Sequence, residues 1–356
     1  MKVYLVGGAV RDSLLKMPFY EKDWVVVGAT KEELIEKGYK QIGKEFPVFL
    51  HPETKEEYAL ARKERKTGTG HKAFSFEFDK NVSLEEDLER RDITINAIAQ
   101  DKEGNFIDPF KGQEDLTNKI IRRVSDAFKE DPLRVLRVAR FAAKLNGNGF
   151  RVDEDTMIEI QKIVASGELT TLSRERIWME TYKALTTDNP EVYFKLIEDC
   201  GALSQISSVS QLDTSFLAKA TKTQTDPNAR WTCLVASNTS LEDINNSFNV
   251  PKEYKEISEV CRLILTFKKL DSVNANDIIE LADKTDIYRK EDRFLKAEKL
   301  STFCIDNNSD QSLDWNKIVK LINDIKASSD LKEGKLIAKK LREDRLNAIQ
   351  LYLSEL

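Results

Sequence analysis

Residues 19–28 read FYEKDWVVVG, and two features of this stretch pull against each other. Trp24 and the three valines that follow have the character of a buried strand, yet Glu21 and Asp23 open it. Side chains in a strand alternate between faces, so the two carboxylates point the same way. Like charges so placed repel unless something positive lies between them. The pair therefore meets open solvent at the mouth of the strand, or it holds a cation. Working outward, KVYLV (2–6) predicts another strand, Gly7-Gly8 a tight turn, and AVRDSLL (9–15) a short helix. Downstream, TKEELIEKG predicts a short helix starting from Thr30, and PVFLH (47–51) and EYALAR (57–62) two further strands. Ser83 and Glu86 form a capping box that starts a helix at Ser83. Short alternating elements of this kind predict a small α/β or α+β unit reaching to about residue 118. The charged, glycine-containing run from Lys63 to Val82 (KERKTGTGHKAFSFEFDKNV) reads as a mobile loop.

Beyond residue 119 the strand signal fades. DPLRVLRVARFAAKL (131–145), DEDTMIEIQKIVASG (153–167), SRERIWMETYKALT (173–186) and PEVYFKLIEDCG (190–201) all carry helical periodicity. From about 210 the segments stay helical but become more polar, broken by SNTS (237–240) and DNNSDQS (306–312). At 356 residues the chain is long for one hydrophobic core and predicts two or more domains. No apolar run approaches the roughly 20 residues that span a bilayer. MKVYLVGGAVRD reads directly as a first strand rather than a signal peptide, so a cytoplasmic protein is expected. The four cysteines (Cys200, Cys233, Cys261, Cys304) make no closely spaced metal pair and read as reduced thiols. A net charge of −5 does not advertise nucleic-acid binding, but such binding depends on local patches rather than the sum.

Several constellations point to phosphate chemistry. A strand ending in Gly7-Gly8 and opening into a helix leaves backbone N–H groups free to meet an anion, and Arg11 adds a charge-assisted contact. By itself this is equally an ordinary strand–helix turn. Glu21 and Asp23 offer oxygen ligands suited to Mg²⁺, which takes waters and substrate phosphates as further ligands. A solvated strand entrance competes evenly with that reading. Glu57, at the start of another strand, is a candidate third ligand, while Glu56 beside it faces the other way. In ERRDITINA (89–97), Arg91 is placed to clamp a triphosphate and Asp92 to orient it, with a surface salt-bridge cluster as the alternative. In EDPLRVLRVARF (130–141), Asp131 before Pro132 is a natural N-cap, and Arg134, Arg137 and Arg140 form one slowly rotating stripe. Three cations flanked by Val, Leu, Ala and Phe are costly without an anionic partner.

Taken together, GGAVRD, EKDW, RRDITINA, DPFKGQEDL and EDPLRVLRVARF occur in the order found in class II tRNA nucleotidyltransferases, the CCA-adding enzymes. The resemblance is close to the proteobacterial members, also through GKEFPVFLHPETKEEYALAR, and covers roughly residues 1–205 strongly and the rest hardly at all. It implies an α+β fold class: a nucleotidyltransferase (polymerase beta-like) head with a small mixed β-sheet at 1–118, a helical neck at 119–205 that recognises the nucleotide base, and a helical body and tail at 206–356 that binds tRNA. It implies Mg²⁺ on Glu21 and Asp23, with CTP or ATP on Gly8, Arg11, Arg91, Asp131, Arg134, Arg137 and Arg140. The family's usual acid pair is Asp-x-Asp, so Glu21 keeps an oxygen ligand on a longer arm.

The reaction so implied adds the 3′-terminal CCA to tRNA from CTP and ATP without a nucleic-acid template, releases pyrophosphate and repairs damaged ends. Cytosine and adenine both present an amino donor beside a ring-nitrogen acceptor, which a carboxylate and a guanidinium match. Uracil and guanine carry a carbonyl in that place, and each buried polar group left unpaired costs about 1–3 kcal/mol. Asp131 thus has two candidate roles, base reader and helix cap. The loop KTGTGHKAFSFEF (66–78) argues for full CCA addition over a CC-adding enzyme. A poly(A) polymerase of the same superfamily is the nearest rival, and a non-catalytic RNA-binding protein the rival from another class; Gly43-Lys44-Glu45-Phe46 and the absence of a long basic extension disfavour the polymerase. With only His51 and His71, the chain is not expected to build the HD phosphohydrolase site that many relatives carry. The tRNA acceptor end and elbow are the expected partners of the C-terminal helices. Lysines in FKKL (267–270) and KLIAKKLR (335–342) are candidate contacts there. No membrane and no obligate protein partner are expected.

Overall fold

In the computed structural model, residues 1–42, 48–66, 74–77, 80–305, 313–326 and 334–356 are described. The chain folds as two compact units, Met1–Gln211 and Leu212–Leu356.

The first unit is built on strands β1 (Lys2–Val6), β2 (Asp23–Val27), β3 (Lys40–Ile42), β4 (Val48–Leu50) and β5 (Glu57–Leu60), a hairpin of β6 (Lys63–Lys66) and β7 (Phe74–Glu77), then β8 (Ala99–Gln100) and β9 (Phe106–Ile107). The main sheet has the order β3-β4-β5-β2-β1-β8-β9 and is mixed, since only β2 and β5 run parallel. Its central strand, β2, is covered on both faces. Val25 packs with Val6, Leu88, Ala97 and Ala99, whereas Val26 packs with Leu34, Phe49, Tyr58 and Leu60. Two-sided burial is why this strand reads as an unbroken apolar run rather than an alternating one.

Register then fixes the site. Val6 pairs with Asp23 across β1 and β2, and Asp23 pairs with Glu57 across β2 and β5. The same sheet end therefore collects the acids and the Gly7 turn that feeds α1 (Gly8–Leu14). Trp24 and Glu56 lie on the opposite side, where the indole N–H donates to Glu56 Oε2 at 2.9 Å. Helix α2 (Lys31–Glu36) is closed by a Thr30–Glu33 capping box and α3 (Leu84–Glu89) by the Ser83–Glu86 box. α4 (Gly112–Asn118) approaches the 3-10 turn Thr94–Asn96 so closely that a Cβ on Gly112 would lie 2.3 Å from the Thr94 carbonyl oxygen, so only glycine fits.

α5 (Leu133–Leu145), α6 (Glu154–Ala165), α7 (Arg174–Leu185), α8 (Pro190–Asp199) and α9 (Leu203–Ile206) complete the unit. α5 is its hub: ten of its thirteen residues are buried, and it packs against both α7 and α8. Two expectations need correction. The segment from Lys63 read as a mobile loop forms the β6–β7 hairpin, with Lys63 opposite Glu77 and Lys66 opposite Phe74. The region after 119 is not purely helical either, because β10 (Ile120–Ile121) and β11 (Arg151–Val152) pair in parallel beside α5. Residues 43–47, 67–73 and 306–312, which include the GKEF motif, His71 and DNNSDQS, lie outside the described residues.

The second unit comprises α10 (Ser215–Thr221), α11 (Pro227–Ala236), α12 (Leu241–Ser247), α13 (Lys252–Phe267), α14 (Ala275–Thr285), α15 (Glu291–Ser301), α16 (Trp315–Asp324) and α17 (Gly334–Ser354). Trp315 anchors its core against Phe267 and Phe294, and Cys233, Cys261 and Cys304 are buried there as free thiols. None of the described helices is long and apolar enough to cross a membrane.

Candidate active site

A cavity of about 580 Å³ in the first unit gathers the predicted residues. Gly8 and Arg11 enter from α1, Glu21 and Asp23 from the start of β2, and Glu57 from β5. Arg91, Asp131, Arg134, Arg137 and Arg140 line it from the other side. Residues far apart in sequence thus share one hollow.

On the acid side, Glu21 precedes the strand and Asp23 begins it, both exposed to the cavity. Neither carboxylate accepts a hydrogen bond from the described residues. Desolvation by the surrounding chain pushes the Asp23 carboxyl up, the Arg91 charge opposes this, and the Glu21 charge adds to it. Arg91 and Asp23 meet over Gly7, where a Cβ would sit 3.2 Å from Arg91 Nη1 and 3.9 Å from Asp23 Oδ2. With φ of +74° as well, Gly7 is the residue that lets the turn pass between them. Glu57 is on the same wall, but among the described residues no three acidic, histidine or cysteine side chains gather as a metal-binding group. The donor set nevertheless fits Mg²⁺, a hard ion that takes one or two carboxylates and completes its shell with phosphate and water oxygens.

The arginine side departs from the sequence expectation in one respect: the stripe has anionic partners within the chain. Arg137 is paired with Asp92 Oδ2 at 2.7 Å, and Arg140 donates to Glu180 Oε2 at 2.5 Å. Arg134 is buried and donates to the backbone carbonyls of Ala127 and Arg90, so it ties α5 to the RRD segment. Arg11 is 2% exposed, donating to Asp12 and to Asn96, and its guanidinium and that of Arg140 both lie over the Phe141 ring. Asp131 carries out one of its two candidate roles visibly. Its Oδ1 accepts from the Leu133 N–H as a helix cap, while Oδ2 accepts from Arg176 at 2.7 Å. Each carboxylate oxygen has further lone-pair capacity, so the cap leaves room for a base amino group.

Sequence reasoning missed Arg176 and Glu180. Both lie on α7, four residues apart, and Glu180 is 3% exposed. The available signal was that spacing in SRERIWMETY, which puts an opposite-charge pair on one helix face. Lys144 was missed as well; it continues the stripe one turn past Arg140. Among the described residues, nine cationic side chains face five carboxylates around the cavity, an excess suited to a polyanion such as a nucleoside triphosphate.

Buried carboxylates make this unit sensitive to acid. Burial pushes the Asp92 carboxyl up, but the charge and hydrogen bond of Arg137, with Asn96 and Arg134, hold it well below the usual range. Asp87 is likewise lowered despite burial, by Arg90 and Arg91, and Asp12 by Arg11 and Lys144. A carboxyl depressed in the folded state stabilises above its unfolded pKa, near 4, and loses that contribution as pH falls through the folded value. The melting temperature is therefore expected to be level above about pH 5 and to fall progressively below about pH 4, less steeply in Asp92→Asn. A melting temperature unchanged between pH 6 and 3 would contradict this.

Comparison with known proteins places the site in context. A family model described as "Poly A polymerase head domain" matches residues 3–122, and one described as "Probable RNA and SrmB- binding site of polymerase A" matches 149–209. The chain is 42% identical to a "CCA-adding enzyme" of Buchnera aphidicola subsp. Schizaphis graminum, over 94% of this chain and 92% of the relative. It is 43% identical to a "CCA-adding enzyme" of Coxiella burnetii, over 99% of this chain and 96% of the relative. Among solved structures, "The complex structure of CCA-adding enzyme with CTP" superposes with a TM-score of 0.70 at 20% identity, covering 98% of this chain and 87% of that one, which establishes likeness of fold.

Proposed function

Because the chain belongs to the CCA-adding enzymes, we propose that it builds the terminal C-C-A of tRNA at this cavity from CTP and ATP, without a template, releasing pyrophosphate. The observation that carries the reading is the union in one hollow of the acid pair Glu21–Asp23, the arginine-rich wall and the Asp131–Arg176 pair. Residues 1–118 act as the catalytic head and 119–205 as the base-recognising neck. Residues 206–356 bind the acceptor end and elbow of tRNA. The enzyme works in the cytoplasm, and mending a damaged 3′ end is the same addition begun partway.

In this mechanism the tRNA 3′-hydroxyl attacks the α-phosphorus in line, and positioning plus charge stabilisation does most of the work. Gly8, Arg11 and Arg91 hold the phosphates; Arg137 and Arg140, fixed by Asp92 and Glu180, line the path from phosphates to base. Asp131 accepts from the amino group of cytosine or adenine, a group uracil and guanine do not offer at that place. Arg134 braces the segment through the Ala127 and Arg90 carbonyls, and a guanidinium of the arginine wall donates to the ring nitrogen. Mg²⁺ held by Glu21 and Asp23, with Glu57 alongside as a candidate third ligand, supplies charge neutralisation and a lowered hydroxyl pKa when bound.

The test uses tRNA lacking its 3′ end, with CTP alone, ATP alone, then both. Two C residues from CTP alone and a single A only after them are expected. Addition that stops at CC with both nucleotides would indicate a CC-adding enzyme, and runs of A a poly(A) polymerase. No incorporation at all would leave an RNA-binding protein.

A further inference from the structure

Among the described residues, eight of the nine cationic side chains lining the cavity are arginines, and the ninth is Lys144. Arginine stays protonated at any working pH, so none of the eight can hand over a proton. Lysine can. Among the described residues, no histidine or tyrosine lines the cavity. Asp92, one of its carboxyls, is locked by Arg137, Asn96 and the Ile93 N–H.

Lys144 is also in the right part of the cavity. It sits in the last turn of α5, whereas Asp131 precedes the first, which sets them roughly 20 Å apart along the axis. Asp131 marks the base end. At the other end, Lys144 Nζ donates to Asp12 Oδ2 at 2.8 Å, and Asp12 Oδ1 accepts from Arg11 Nε at 2.8 Å. Lys144 thus stands beside the α1 residues assigned to the phosphates. Its side chain is 34% exposed, so the ammonium keeps an open side. Charged groups facing it are Arg11 and Asp12 from α1 and Arg140 from its own helix. Burial, and then the Arg11 charge, push its pKa down against the pull of Asp12, which makes the proton easier to release.

Resting on the CCA-adding reading, we propose that Lys144 is the proton donor to the departing pyrophosphate. The 3′-oxygen forms a bond to the α-phosphorus as the bond from that phosphorus to the α,β-bridging oxygen breaks. The electron pair stays on the bridging oxygen, which takes a proton from Lys144 Nζ. The neutral amine recovers its proton from water, and the hydroxyl proton leaves to solvent. Asp12 acts through Lys144, as a positioning residue.

The test is single-turnover addition to tRNA lacking CCA, at saturating nucleotide, with CTP and with its β,γ-difluoromethylene and β,γ-methylene analogues. The first analogue releases a less basic leaving group than the second. Lys144→Arg keeps the positive charge but cannot transfer the proton. It is expected to be about 10²-fold slower than wild type on CTP. It should recover to within roughly tenfold of wild type on the difluoromethylene analogue and lag furthest on the methylene one. Equal slowing on all three nucleotides would mean positioning only and would overturn the proposal, as would an unchanged rate on CTP. Lys144→Gln, with its melting temperature checked, gives the same comparison if the arginine variant fails to fold. Wild-type protein inert toward both CTP and ATP would overturn the functional reading instead.

Discussion

Asp23→Asn is expected to lower nucleotide incorporation by about 10³-fold or more while the fold stays intact. The size follows from what the carboxylate would do: a metal's charge stabilisation is worth several kcal/mol, and each 1.36 kcal/mol is about a factor of ten in rate. The separation from stability follows from its surroundings. Asp23 accepts no hydrogen bond from the described residues, so the isosteric amide leaves no donor stranded. Its carboxyl is moreover pushed up in the folded chain by burial, so at neutral pH the ionised group works against folding rather than for it. The variant should melt at the wild-type temperature or slightly above. Single-turnover addition of CMP measured beside a melting curve checks both halves. A rate within a few-fold of wild type would remove the basis for the catalytic account.

Glu180→Ala should produce the opposite pattern, with stability falling first. Glu180 accepts from Arg140 at 2.5 Å and lies 3.8 Å from Arg137, and the Glu180 and Arg140 side chains are only 5% and 12% exposed. Removing one partner of a buried pair strands the other charge and costs about 3–5 kcal/mol. For a unit of this size that lowers the melting temperature by about 6–20 °C, readable by calorimetry. The freed Arg140 also loses its orientation while Arg137 stays held by Asp92 alone, so KM for CTP and ATP should rise together, without a change in the choice between C and A. Glu180→Gln keeps the shape and one acceptor and should fall between. A melting temperature equal to wild type in Glu180→Ala would show that the pair holds nothing in place.

Much of the site is legible in the sequence because its residues announce themselves locally. A doubled glycine ends a strand, two acids open another, and arginines recur at three-residue steps. Each is a short-range pattern. The β6–β7 hairpin is not legible, since β6 (KERK) has no apolar residue to alternate, and the pairing of Lys63 with Glu77 is a contact between segments. The partners of the arginine stripe are hidden for a related reason. Arg140 is visibly in need of an anion, but Glu180 lies 40 residues away, in a helix that shows only ordinary periodicity.

From the sequence alone came most of the elements and their caps, because helix and strand periods, capping boxes and turn glycines act over a few residues. The tertiary structure decided the rest. The register that sets Asp23 between Val6 and Glu57, the seating of α5 against α7, and the meeting of Asp12 with Lys144 are contacts between distant segments. No local pattern encodes them, because they follow from how the whole unit buries its apolar surface and satisfies the charges that burial traps.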